Sequence, residues 1–182
     1  MIDSIFKQHR TILILGLLMA FCRLIPAPEF RMINFTALGA TALFFGVYIN
    51  DKKQAISASI LLAMFGDLML LLIQDINLDF MSVATYLALA LIALMGNFVG
   101  KLQRGYASVV LIMVAPLLSS VLHFMFILIA QYLKAGGTFI SALQMAIPQY
   151  KGLVLGDIFF TILLFSIYAI TKKISPVDDN AQ

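Results

Sequence analysis

Six apolar stretches follow one another along the chain, and each is about as long as a membrane is thick. A transmembrane helix needs roughly 20 apolar residues, within a range of about 17 to 25. The stretches run over about 9–25, 33–50, 54–74, 80–100, 106–133 and 152–171. No linker or low-complexity segment divides the 182 residues, a length that suits one domain. The sequence therefore predicts an all-α integral membrane protein, a six-transmembrane-helix bundle that forms a single membrane domain over 1–182.

Composition argues against a soluble fold and against nucleic acid as a partner. Hydrophobic residues make up 62% of the chain and charged residues 12%, whereas a soluble domain carries about 25% charged residues. The excess apolar surface must face lipid, so the bilayer is the first expected partner. The pI near 9.1 does not point to nucleic acid, because the basic residues form short clusters between apolar stretches, a pattern that orients membrane proteins.

The N-terminal segment resembles a signal peptide but lacks a cleavage site. A basic region precedes the first apolar stretch, yet Ala20-Phe21-Cys22 places a bulky ring in the A-x-A-like site, which needs small residues. We therefore predict a retained first helix. Cys22 is the only cysteine, so no internal disulfide can form, and the sequence assigns it no role.

Basic residues between the stretches predict the orientation of the bundle. Cytoplasmic connections carry an excess of Lys and Arg. If the N-terminus is cytoplasmic, eight basic residues lie on that side and four on the other: Lys7, Arg10, Lys52, Lys53, Lys101, Arg104, Lys172 and Lys173 against Arg23, Arg31, Lys134 and Lys151. We expect both termini inside, a multi-pass protein of the inner (cytoplasmic) membrane, and a short cytoplasmic tail over 172–182.

The connection between the fifth and sixth spans is predicted to hold an amphipathic outer segment over 138–148. Phe139, Leu143, Ala146 and Ile147 recur at helical spacing, as in an interfacial helix. Pro148 is expected to end that helix. The segment is interpreted either as a surface helix resting on lipid or as a lid over an outward cavity.

Polar residues inside the membrane are costly and usually face the bundle interior, pair with one another or line a cavity. With both termini inside, these residues all fall in the outer half of the membrane: Arg23, Asn34, Thr36, Asp67, His123 and Asp157. A structural interpretation pairs Arg23 with Asp67 or Asp157 and leaves the others as packing residues. The functional interpretation is an outward-facing pocket for a small molecule. Polar residues that only hold helices together would have no reason to concentrate in one leaflet.

Small residues and absent motifs narrow the class of protein further. Small residues four apart, such as Gly16 and Ala20, let helix backbones approach closely, within the bundle or against a partner. The chain has no phosphate-binding loop, no H-E-x-x-H motif and no G-x-S-x-G motif. Asp67 and Asp157 alone are weak support for an intramembrane enzyme. We therefore expect no enzymatic activity and no cofactor, and the sequence leaves a metal site undecided.

Several short motifs between about residues 12 and 170 give the chain a family resemblance. It resembles a small uncharacterised bacterial integral membrane family and is similar to the substrate-binding S components of energy-coupling factor (ECF) vitamin transporters. The motifs are Arg23 to Pro26, Asn34-Phe35-Thr36, the run from Gly39 to Gly46, Gly66-Asp67, Ala146-Ile147-Pro148 and Gly156-Asp157.

The resemblance implies a six-helix bundle that captures a vitamin-like molecule or a metal from outside. A separate transmembrane coupling protein and two ATPase subunits would drive uptake, and small residues on the first helices, here Gly16 and Ala20, would dock that partner. In some relatives a cysteine near the third helix binds cobalt. Here Cys22 lies on the first span, so that role does not carry over.

Three functions follow from the sequence as hypotheses. The leading one is an S-component-like protein that captures a small solute, with Arg23, Asn34, Thr36, Asp67, His123 and Asp157 lining or supporting the pocket. The second is a structural or assembly protein whose polar residues only stabilise the bundle. The third and weaker one is an intramembrane enzyme. The sequence does not identify the solute or the oligomeric state.

Overall fold

Every element of the computed structural model is helical, as the sequence predicts. It describes residues 2–22, 36–74, 80–102, 107–135 and 138–174. Within these ranges the chain forms six helices: α1 (Ile2–Cys22), α2 (Leu38–Tyr48), α3 (Lys52–Gln74), α4 (Phe80–Leu102), α5 (Ala107–Ala135) and α6 (Phe139–Ile174).

Four of these helices are long and apolar enough to cross a membrane. The qualifying segments are Lys52–Ile73, Met81–Leu102, Met113–Lys134 and Phe139–Thr171, and shorter apolar segments cover Arg10–Met19 and Leu38–Tyr48. Large apolar side chains such as Leu72, Phe98 and Met113 are exposed on the outer faces of the long helices. Lipid can cover such surface at no cost, whereas water cannot. The chain is therefore a multi-pass membrane protein.

The short helix α2 is the centre of the bundle. It contacts all five other described helices, and every residue from Leu38 to Gly46 is buried. Its 11 residues rise about 16 Å, roughly half of the ~30 Å hydrocarbon thickness. The sequence predicts a longer second span over 33–50, but the structure starts the helix only at Leu38. The first backbone N–H groups of α2 therefore lie among other helices and need acceptors there.

Glycines allow the backbones of α2 and α4 to touch. A Cβ atom added at Gly46 would lie 2.8 Å from the Cα atom of Gly96 and 2.9 Å from the backbone nitrogen of Asn97. One turn further on, a Cβ atom at Gly100 would lie 3.2 Å from the Cα atom of Val47. Small residues at such crossings are typical of membrane helices, which associate through close van der Waals packing.

The other end of α2 turns directly into α3. The Asp51 carboxylate accepts a hydrogen bond from the backbone N–H of Lys53 at 2.8 Å and so caps the start of α3. From α4, the Asn97 side-chain amide donates to the carbonyl oxygens of Ile49 at 3.3 Å and Asn50 at 3.1 Å. These bonds satisfy backbone carbonyls at the end of α2, so the polar group of Asn97 has a local structural partner.

Helix α6 differs from the sequence-based prediction, because Pro148 does not end a separate outer helix. One helix runs from Phe139 to Ile174 with Pro148 inside it. Proline removes one backbone hydrogen bond, but contacts on both sides of it hold the helix: Ala142, Ala146 and Leu153 form one buried cluster with Ile127 and Leu128 of α5.

The apolar face expected for the 138–148 segment is divided between the bundle interior and the outer surface. Ala142 is fully buried, whereas Phe139 and Ile147 are exposed. Ala142 and Ala146 therefore pack this part of α6 against α5, while Phe139 and Ile147 remain on its outer surface.

Candidate functional site

Asp157 is a carboxylate buried in the middle of apolar helices, and it is the centre of the candidate site. Its exposed fraction is 1%. Oδ1 accepts a hydrogen bond from the backbone N–H of Ala40 at 3.1 Å. Oδ2 lies 2.9 Å from Oγ of Ser120 and 3.2 Å from Oγ of Ser119. Thus α6 supplies the carboxylate, and both α2 and α5 supply its partners.

The Asp157–Ala40 contact exists because α2 begins inside the bundle. The first N–H groups of a helix have no acceptor within it, and an N-cap side chain normally supplies one. The N-cap residue here is Ala37, which has no side-chain oxygen. Asp157 takes over this role from another helix. The partial positive charge at the N-terminus of α2 also favours a carboxylate at this position.

Gly39 makes room for the carboxylate. A Cβ atom added at Gly39 would overlap Asp157, lying 2.7 Å from Oδ2 and 2.8 Å from Cγ. No real Cβ contact is that short, so any other residue would push the carboxylate off the start of α2. The pairing of Gly39 with Asp157 is therefore a mutual fit between the second and the sixth helix.

Ser120 lies between the carboxylate and the backbone of α5. Its Oγ lies 2.9 Å from the carbonyl oxygen of Pro116 and 2.9 Å from Oδ2 of Asp157. A hydroxyl has one proton to donate, so it cannot donate to both oxygens at full strength. Ser119 provides a second donor to Asp157, and the two serines together hold the carboxylate from the side of α5.

Two further buried polar residues lie one helical turn from the site, on opposite sides of Asp157, because α5 and α6 run antiparallel. His123 follows Ser119 by four residues on α5, and Thr161 follows Asp157 by four on α6. Both are buried. Among the residues that the structure describes, Oγ1 of Thr161 has no hydrogen-bond partner. A buried hydroxyl without a partner costs free energy, which makes Thr161 a candidate contact for a bound molecule.

A second polar pair connects α3 and α4. The hydroxyl of Tyr86 donates a hydrogen bond to Oδ2 of Asp67 at 2.6 Å, and Asp67 is buried. Hydrogen bonds to a charged oxygen are short and strong. A structural partner for Asp67 is thus a tyrosine from the next helix, and the sequence did not indicate Tyr86 for this role.

Some of the site residues predicted from the sequence lie in the described part of the chain, and others lie outside it. Asp67, His123 and Asp157 are all buried between helices, and Thr36 lies half-buried just before α2. Arg23 and Asn34 lie outside the described residues. Their predicted contacts, including a pair between Arg23 and either aspartate, stay predictions.

The residues predicted to dock a partner lie on α1. Gly16 is buried against the Phe45 ring, and a Cβ atom added there would lie 2.6 Å from Cε1 of that ring. This internal contact alone accounts for a glycine at position 16. The side chain of Ala20 lies outside the described part of the structure.

Sequence reasoning assigned no role at the site to Ser119, Ser120, Tyr86 or Thr161, and it named Gly39 only as the start of a family motif. One signal was present for the serines: Ser119, Ser120 and His123 lie within five positions of one another inside an otherwise apolar stretch. No comparable signal marks Gly39, because its requirement comes from a carboxylate that is 118 positions away in the chain. Within the described residues, no three His, Cys, Asp or Glu side chains are grouped so that they could hold a metal ion.

The bundle has a buried carboxylate at the start of its short central helix. These features place the chain in the class of multi-pass membrane proteins with an internal polar site. The chain belongs to a family of unknown function, DUF6580, whose model matches residues 4–177. No curated protein and no solved structure matches the chain.

Proposed function

We propose that this protein captures a small solute, a vitamin-like molecule or a metal complex, at the polar site around Asp157. It would deliver the solute for uptake with a separate energising module, in the manner of an S component of an ECF transporter. The observation that carries the proposal is the buried Asp157 carboxylate, which three protein donors approach from two other helices.

The carboxylate has capacity for a further donor. An ionised carboxylate offers about four acceptor positions, and three described groups approach Asp157. The Thr161 hydroxyl, which has no hydrogen-bond partner among the described residues, lies one turn away on the same helix. A solute with a cationic or N–H group next to a hydrogen-bond acceptor would match this pair, and His123 would offer a polar contact on the other side of Asp157.

The distribution of buried polar groups supports a site at one end of the bundle. Ala63 and Leu89 share a core cluster with Leu38, the first residue of α2. Asp67 follows Ala63 by four residues and Tyr86 precedes Leu89 by three, so the Asp67–Tyr86 pair lies one turn beyond this level, at the end where α2 begins.

Two other buried polar side chains, Ser59 and Asn97, are engaged in a different way. The hydroxyl of Ser59 donates to the carbonyl oxygen of Ala55 at 2.8 Å, and Asn97 donates to the turn between α2 and α3. Both side chains are engaged with nearby backbone. At Asp157, by contrast, groups from three different helices meet on one carboxylate, as in a binding site.

The proposed orientation places the start of α2 in the outer half of the inner (cytoplasmic) membrane. It has six spans, both termini inside and the polar site open to the outside. Arg23 and Asn34, which precede α2 in sequence, would form the outer wall of the site with Thr36. A transmembrane coupling protein and ATPase subunits would be the partners, and Gly16 and Ala20 would lie on the docking helix.

Thermal unfolding of the purified full chain in detergent tests the proposal. We expect at least one member of a panel of thiamine, riboflavin, biotin, cobalamin, Co²⁺ and Ni²⁺ to raise the melting temperature. Asp157→Asn and Thr161→Val should abolish that rise. Ser59→Ala, which changes a buried serine that donates only to the backbone of its own helix, is the matched control and should retain it. A rise that persists in Asp157→Asn would place binding elsewhere and overturn the proposal.

A structural or assembly role is the second candidate, and one observation favours it. All three donors that approach Asp157 belong to the protein itself, and one of them is the uncapped start of α2. In that case Asp157 serves only to fix α2 between α5 and α6. This alternative expects the same substitutions to lower stability while no solute of the panel changes the melting temperature of the unmodified protein.

A further inference from the structure

A groove between α1 and α3 is separate from the polar site. It has a volume of ≈ 470 Å³. Its walls are Leu13 and Leu17 of α1 and the face of α3 that carries Ser57, Leu61 and Phe65, and Phe45 and Ile49 of α2 form its floor. Apart from Gln54 and Ser57 the lining is apolar, and the groove opens between the two helices toward the surrounding lipid.

The two ends of the groove differ in chemistry. At one end the rings of Phe21 and Phe65 meet edge to face, with centroids 6.1 Å apart, and join α1 to α3. The other residues of α1 and α3 that line the groove come before this ring pair in sequence. The two helices therefore run parallel. The opposite end of the groove lies toward the N-terminal ends of both helices, where Gln54 and Ser57 form its polar lining.

Basic side chains lie at that polar end. Arg10 precedes Leu13 by three and Leu17 by seven residues, which places all three on one face of α1. Lys53 precedes Ser57 by four residues and shares its face of α3 in the same way. Both basic side chains are exposed. With Lys52 and the capping carboxylate of Asp51, the described side chains at this end include three cations and one anion, a net charge of +2.

The length of the groove fits one leaflet. From Gln54 to Phe65 the helix rises about 16 Å, close to half of the ~30 Å thickness of the hydrocarbon core. An acyl chain that starts at the basic end would reach the Phe21–Phe65 pair within a single leaflet. Basic pockets between transmembrane helices bind anionic lipid headgroups.

We propose that this groove is a binding site for an anionic phospholipid, with the phosphate between Arg10 and Lys53 and one acyl chain along Leu13, Leu17 and Leu61 on the Phe45–Ile49 floor. The positive charge at the basic end of the groove selects an anionic headgroup, and the apolar walls contact the acyl chain of the lipid. The lipid fills the space between α1 and the rest of the bundle. This site is independent of solute capture, because none of its residues belongs to the site around Asp157.

Native mass spectrometry of the full chain in detergent tests the headgroup. Phosphatidylglycerol and phosphatidylcholine with identical acyl chains are titrated separately. We expect tighter binding of phosphatidylglycerol. Replacing Arg10 and Lys53 together by Gln should weaken its binding by about five-fold for each charge, the equivalent of about 1 kcal/mol each, and leave phosphatidylcholine binding unchanged. The matched control replaces two exposed cations outside the groove, Lys101 and Lys151, by Gln and should change neither.

Variants that fill the groove test whether the acyl chain of the lipid lies in it. Ala58→Phe projects a ring into the groove and should reduce binding of both lipids. Leu17→Trp, from the exposed opposite wall, is a second filling variant in case Ala58→Phe does not fold. Equal affinity of the unmodified protein for the two lipids, a double charge variant that behaves like its control, or undiminished lipid binding in a folded filling variant would each overturn the proposal. Solute-induced stabilisation should persist in all of these variants.

Discussion

The carboxylate of Asp157 accepts a hydrogen bond from the backbone N–H of Ala40 at 3.1 Å, across 117 positions of sequence. A side chain of the last helix thereby caps the second helix, whose own N-cap residue, Ala37, has no side-chain acceptor. The same carboxylate reaches Ser119 and Ser120 of α5. One group thus joins three helices at the level where α2 begins, and the stability of the bundle should depend on it.

Replacement of Asp157 by Ala should lower the free energy of unfolding by about 2–4 kcal/mol, because a helix cap is lost and the buried donors of Ala40 and Ser119 lose their acceptor. Asp157→Asn keeps one acceptor oxygen and should cost less. Denaturation by SDS in mixed micelles, followed by circular dichroism, measures both. The matched control is Asp51→Ala, which removes an exposed helix cap and should cost only about 1 kcal/mol. Equal losses at the two positions would contradict the assignment.

Gly39→Ala should be more damaging than its one added methyl group suggests. The new Cβ atom would overlap the Asp157 carboxylate, and overpacking of a filled interior typically costs about 1–3 kcal/mol. The same denaturation experiment measures the loss. In the background of Asp157→Ala the space is vacated, so the added methyl group should become nearly neutral. If Gly39→Ala costs as much there as in the unmodified protein, the clash is not with the carboxylate.

Thr161→Val should leave stability unchanged or raise it by up to about 1 kcal/mol, because it removes a buried hydroxyl that has no partner among the described residues. Ser120→Ala removes a hydroxyl that lies at hydrogen-bonding distance from two oxygens and should lower stability by about 1–2 kcal/mol. Thermal unfolding of the two variants compares them directly. A large loss for Thr161→Val would show that this hydroxyl has a structural partner.

Asp67 and Tyr86 should be energetically coupled. Their hydrogen bond of 2.6 Å links α3 to α4, and bonds to charged groups contribute about 1.5–3 kcal/mol. A double-mutant cycle with Asp67→Asn and Tyr86→Phe isolates the pairwise contribution. We expect the double variant to be more stable than the sum of the two single losses predicts. Strict additivity would mean that the bond contributes nothing measurable to the stability of the fold.

Much of the helical architecture could be predicted from the sequence, because each apolar stretch forms its backbone hydrogen bonds locally. Asp67, His123 and Asp157 could also be recognised, since a polar group in an apolar helix stands out without any tertiary information. Their partners could not be recognised. Ser119 is an unremarkable residue until a carboxylate lies beside it, and Gly39 differs from other glycines only by what faces it.

At Pro148 the prediction from sequence, a helix end, was wrong. Locally, a proline is expected to end a helix, because it lacks an N–H group and clashes with the preceding turn. In the structure the buried contacts of Ala146 before it and Leu153 after it hold both halves against α5. Tertiary packing therefore overrides the local preference, and the predicted outer segment becomes part of α6.

The sequence by itself determined that the chain is a helical membrane protein, because apolar content and the length of each stretch are properties of single segments. Only the tertiary structure decided where α2 begins, which carboxylate caps it and which glycine admits that carboxylate. The physical reason is that the N–H groups at the start of a helix are the same in every sequence. Their acceptor is set by whichever helix packs against them, and here that acceptor is Asp157.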